Sequence, residues 1–226
     1  MVDARIAIRA RLDKGRRSGL DSMAPIRLYR PRMPRMTYFV SLRLTAIVLG
    51  LLYLISHLPG ALAPAWTTKF VRPLPRNYPL GVVLTLLATI WFVVLTGVMD
   101  LGEISNIRVQ LMSVWAIAGV LLVIFVPGFL AVRGLGCLLL MAAALMLDAA
   151  FLALTPWRYV VTLLAYGWVI LGMILVYSPH IGRRWLDWLT ESESRLRTLS
   201  WPGVALGVLL LVLGIFVYPS SPNFWL

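Results

Sequence analysis

The sequence predicts an all-α fold, a polytopic transmembrane bundle of about six spans with one amphipathic helix in the membrane interface. Hydrophobic residues make up 60% of the 226 and charged residues only 13%, with a mean hydropathy of +0.86. A soluble domain sits nearer about half apolar and about a quarter charged. Six stretches reach the ~20 apolar residues that cross a bilayer. Their apolar runs are continuous rather than alternating, which excludes a β-barrel. Backbone polar groups cannot stay unpaired in lipid, so the runs are read as helices.

In chain order the expected spans are Tyr38–His57, Tyr78–Met99, Val109–Val132, Leu135–Thr155, Tyr159–Ser178 and Pro202–Tyr218. Turn chemistry separates them: Pro59-Gly60, Pro73, Pro75 and Pro79, Gly102, Arg133-Gly134, Pro156 and Pro179. Pro127-Gly128 lies inside the third stretch and is expected to kink that helix or end it early. Around this domain (37–219) lie a basic tail (1–36) and a short C-terminal tail (220–226).

The first 36 residues hold ten basic side chains against Asp3, Asp13 and Asp21. That excess resists translocation and places the amino terminus in the cytoplasm of a bacterial-type inner membrane. One count points the other way. Beyond the tail, the amino-terminal side would hold Arg43, Arg108 and Arg158, and the opposite side Lys69, Arg72, Arg76, Arg133, Arg183, Arg184, Arg195 and Arg197. The first apolar run is too long for a signal h-region and reads as a signal anchor. A polybasic segment beside a span is first a topology determinant lying on lipid. No stacking ladder or nucleic-acid fold accompanies the charge, so nucleic acid is not an expected partner.

Residues 181–199 are expected to form the interfacial helix. Ile181, Trp185, Trp188, Leu189, Leu196 and Leu199 recur at helical spacing, with Arg184, Asp187, Glu191 and Arg195 opposite. Trp185 and Trp188 would sit at headgroup level. Glu191→Arg195 and Glu193→Arg197 are i,i+4 pairs in the favourable order. The charge sum of this segment is nearly neutral, which argues against a dedicated anionic-lipid sensor.

Ionisable residues at membrane depth are functional candidates because their desolvation is costly. Asp148 is expected about two turns from the end of span four, among small alanines. It reads as interhelical glue or as a proton or ion relay, with Thr162 and Tyr166 as candidate partners. Arg43, about two turns into span one, is expected to snorkel or to pair with Asp100 or Glu103. His57 and His180 end spans one and five. Imidazole can ligate haem or pigment, so such a cofactor stays open, although interfacial histidines are the plainer reading. Gly203 and Gly207 form a GxxxG in the last span, with Gly214 on the same face, a pattern for close helix packing. Trp66, Trp157, Trp201 and Trp225 mark an aromatic belt.

Chemistry is sparse. The single cysteine, Cys137, can form no internal disulfide and cannot alone hold zinc or an iron–sulfur cluster. There is no P-loop, HExxH, CxxC or Rossmann fingerprint, and no metal site is expected. The expected function is therefore non-catalytic. The leading expectation is an accessory or scaffold subunit of a larger membrane complex, possibly an energy-transducing one, with membrane lipids and other membrane subunits as partners. The alternatives are a small transporter or proton pathway using Asp148, and a lipid-binding or lipid-modifying membrane protein.

Overall fold

The computed structural model describes residues 40–126, 128–151 and 153–218. The basic tail, Tyr38, Pro127, the C-terminal tail and Trp225 lie outside them. The described residues belong to one compact unit.

Six helices are long and apolar enough to cross a membrane, and the chain is a multi-pass membrane protein. The spans are α1 (Leu42–Leu62), α3 (Tyr78–Val98), α4 (Arg108–Phe125), α5 (Leu130–Phe151), α6 (Arg158–Tyr177) and α8 (Glu193–Val212). A 3-10 turn (Gly102–Ile107) precedes α4, and a π turn (Leu213–Val217) ends α8. Two short helices, α2 (Pro64–Val71) and α7 (Pro179–Thr190), lie between spans.

Element boundaries follow local chemistry. Ser41 Oγ accepts the Leu44 amide at 3.3 Å to open α1, and Asn77 Oδ1 accepts that of Leu80 at 3.1 Å to open α3. Pro79 in the first turn of α3 and Pro179 in that of α7 sit where no amide is needed. Span three ends at Phe125, just before Pro127-Gly128, and Phe129 turns the chain in the left-handed region (φ 59°).

Three expected boundaries are corrected. Arg133-Gly134 is not a break. It lies in the opening turns of α5, because the turn is made by the residues before it. The interfacial helix stops at Thr190, whose hydroxyl bonds back to the Leu186 carbonyl at 2.8 Å, and Ser192 is extended. Residues 193–199 therefore belong to the sixth span, which carries Pro202 in its interior. Lipid-embedded helices tolerate an internal proline because neighbouring groups satisfy the freed backbone. Finally, Pro59-Gly60 is not a break but lies inside α1, which runs to Leu62, and residues 64–71 form a short helix of their own.

The main helix pairings are α1 with α8, α5 with α6, α3 with α5, and α3 with α4. Small residues make these contacts. A Cβ on Gly172 of α6 would lie 2.9 Å from the carbonyl of Gly136 on α5, and one on Gly50 of α1 would lie 2.9 Å from that of Gly207 on α8. Both pairs are antiparallel. Gly81 of α3 abuts the Ala131 amide of α5, where a Cβ would stand 2.7 Å away. Around them Leu42, Ala46, Met146, Val161, Ala165 and Leu210 form a buried cluster.

On the amino-terminal face, two arginines close the C-termini of spans. Arg108 donates to the Gly97 and Met99 carbonyls at 2.7 and 3.1 Å, and Arg158 to those of Ala153 and Phe151 at 2.9 and 3.3 Å. A cation there matches the negative end of the helix dipole. Beside Arg158, the Tyr218 hydroxyl donates to the Trp157 carbonyl at 2.8 Å and ties the end of span six to the start of α6.

Two outcomes follow. Gly81→Ala forces a methyl group into backbone and is expected to cost ~1–3 kcal/mol. Gly167 has nothing within 4 Å of a built Cβ, so Gly167→Ala is expected to be neutral or slightly stabilising; thermal unfolding in detergent separates the two. Burial pushes the Tyr218 phenol from 10.0 up to about 12. As pH rises through that window the folded state keeps a proton the unfolded chain loses, so stability falls. Tyr218→Phe is expected to flatten this alkaline loss of melting temperature.

Candidate functional site

The polar segments of the far face, opposite the start of α1, come together. Helix α2 buries Pro64 and Thr67 against the bundle and leaves Trp66 and Phe70 exposed, their rings 4.5 Å apart. Helix α7 buries Gly182 and Thr190 and exposes Ile181, Trp185 and Trp188. Both are amphipathic elements at the ends of spans, the geometry of helices lying in an interface.

Between them is an open cleft of about 990 Å³, lined by Lys69, Arg72 and Arg76 on one wall and by Arg184, Asp187, Trp188 and Glu191 on the other. The two acids are already engaged. Asp187 pairs with Arg183 at 3.5 Å, and Glu191 with Arg195 at 2.9 Å. Arg195 also lies over the Trp188 ring, 5.2 Å from its centroid. Among the described residues no ion pair is formed by Lys69, Arg72, Arg76 or Arg184. Four exposed cations therefore face a common space whose only carboxylates are neutralised from outside it. The near-neutral sum of residues 181–199 does not describe this surface, because the fold adds three cations from 69–76.

A second cavity, of about 450 Å³, lies inside the bundle between α3, α4, α5 and α6. Its wall is apolar except for Thr85, Thr89, Arg133 and Cys137. Arg133 was expected as a loop cation, and its helical, cavity-lining position was missed because Arg-Gly reads as turn chemistry.

The other candidate residues fall as follows. Arg43 is in the first turn of α1 and Asp148 in the last turn of α5, both nearer the surface than expected. The reason is that α1 starts at Leu42 and α5 stops at Phe151. Neither is a free charge. Asp148 lines neither the cleft nor the cavity. Its proposed partner Thr162 donates to its own helix at Arg158, and Tyr166 is exposed. Arg43 was expected to snorkel or to pair with Asp100 or Glu103, which follow α3. Asp100 accepts the Gly102 amide at 3.1 Å, and α1 packs on α8 while α3 packs on α4 and α5. Of the two i,i+4 pairs, Glu191–Arg195 forms and Glu193–Arg197 does not.

His57 lies inside α1. Its Nδ1 is 3.0 Å from the Tyr53 carbonyl and 2.9 Å from Ser56 Oγ, its ring stacks on Tyr53, and its other edge meets Gly203. Tyr53 in turn accepts from Trp168 Nε1 at 2.8 Å. His180 is exposed in the first turn of α7. Gly207 and Gly214, like Gly203, face α1. Among the described residues no group of three or more His, Cys, Asp or Glu could hold a metal ion.

Comparison with protein-family models, with curated proteins and with solved structures finds no match to this chain.

Proposed function

We propose that this protein is a lipid-binding membrane protein that recognises the headgroup of an anionic phospholipid at the surface opposite its amino-terminal face. The observation that supports this is the cleft between α2 and α7, where four cations stand without carboxylate partners. A phosphate is the anion that a membrane surface offers at this depth, and arginine binds it through a planar fork of donors. The exposed rings of Trp66, Phe70 and Trp185 beside the cleft suit the headgroup layer. With the amino terminus in the cytoplasm of a bacterial-type inner membrane, as the basic tail favours, the cleft serves the outer leaflet.

A second reading rests on α4. None of its 18 residues is buried, and it packs chiefly on α3. A neighbouring membrane subunit would cover that face, and the protein would then be an accessory or scaffold subunit; co-purification of a stoichiometric partner from mild detergent favours it.

The cleft is tested by delipidating the protein and titrating phosphatidylglycerol or phosphatidylcholine while following thermal unfolding. Phosphatidylglycerol is expected to raise the melting temperature, more at low salt. Each basic residue near an anionic headgroup contributes roughly 1 kcal/mol. The triple variant Arg72→Gln, Arg76→Gln, Arg184→Gln is therefore expected to weaken the response by about a hundredfold in lipid concentration. Equal responses to both lipids, or an unchanged triple variant, contradict the proposal.

A further inference from the structure

Two residues that line the cavity inside the bundle each bury a polar atom with no hydrogen-bond partner among the described residues. Thr85 is 5% exposed, and its Oγ1 has no hydrogen-bond partner; the same is true of the buried Nε of Arg133. Thr85 departs from its neighbours here. Thr45, Thr89, Thr96 and Thr162 all return their hydroxyl to the carbonyl four residues back. The two atoms belong to different helices, α3 and α5, which meet at backbone distance: a Cβ on Gly134 would lie 2.9 Å from the Thr85 amide. Thr85 and Arg133 line one space of about 450 Å³ whose remaining surface is apolar apart from Thr89 and Cys137.

A guanidinium keeps its charge in any protein environment, and Arg133, half-buried in the opening turn of α5, carries that charge at the surface end of the cavity, where an anionic oxygen suits it. Among the described residues no carboxylate lies within ion-pair distance of Arg133. The cavity is of a size that holds a small-molecule ligand. It reaches between α4 and α5, which do not pack closely on each other, so helix packing leaves that side open to the bilayer.

We infer that this cavity is a binding site for one acyl chain of an anionic phospholipid, with the lipid phosphate on the partly exposed guanidinium of Arg133. The phosphate supplies the anion that Arg133 lacks among the described residues, and the hydrocarbon chain fills the apolar remainder. The site is separate from the surface cleft and does not depend on it.

Cys137, the only cysteine of the chain, lines the cavity and reports its occupancy. In the delipidated full-length protein, added phosphatidylglycerol is expected to slow alkylation of Cys137 by N-ethylmaleimide, and phosphatidylcholine much less. Arg133→Gln is expected to raise the protecting lipid concentration about tenfold or more. Arg133→Lys should restore most of the protection. Native mass spectrometry gives a second count, with one phosphatidylglycerol fewer on Arg133→Gln than on the unaltered chain. Protection must survive the Arg72, Arg76, Arg184 triple variant, so loss there refutes a separate site. Equal protection by both lipids, protection by palmitate alone, or a lipid count unmoved by Arg133→Gln also overturns the inference.

Discussion

Hydrocarbon is as apolar as leucine, so two helices in a membrane gain little by hiding oily side chains from it. What remains is close contact between backbones and a small number of polar bonds. This constraint explains why Gly50, Gly81, Gly136, Gly172 and Gly207 sit on interhelical seams while many leucines and valines point outward. It also explains the interhelical tie of Trp168 to Tyr53 and the arginine caps at Arg108 and Arg158. A guanidinium that closes a helix end needs no carboxylate, which is why the amino-terminal face is assembled with few ion pairs.

The same constraint separates two kinds of arginine. Arg108 and Arg158 are consumed by carbonyls. Among the described residues Lys69, Arg72, Arg76 and Arg184 meet no carboxylate of their own, and Asp187 and Glu191 beside them are taken by Arg183 and Arg195. Arg133 is a third case, with its Nε buried and unmatched inside the bundle. Charge on the far face is thus concentrated where no free carboxylate among the described residues completes it. That is the physical content of the lipid-binding proposal.

Much of the architecture was legible from hydropathy alone, because a span needs only length and apolarity. The bounds of α3 and α6 fall within a residue of expectation, and Pro127-Gly128 marks the end of span three. The misreadings have definite causes. Helix α2 is eight residues long, too short for periodicity to register, and Pro59 before it sits inside α1. The boundary at Ser192 carries no glycine or proline, so two helices read as one. Arg133-Gly134 reads as a turn in sequence, yet Gly134 is there to let α5 touch Thr85. The cleft itself was not legible, because its two walls are more than a hundred residues apart and each looks nearly ordinary alone.

The account stands on α2 and α7 sharing one membrane surface opposite the loop that carries Glu103. Single cysteines introduced by Lys69→Cys, Arg184→Cys and Glu103→Cys, each in a Cys137→Ser background, can be probed in sealed vesicles with a membrane-impermeant maleimide. The account predicts that positions 69 and 184 are labelled together from one side and position 103 only from the other. Labelling of positions 69 and 184 from opposite sides, or of all three from the same side, would contradict it.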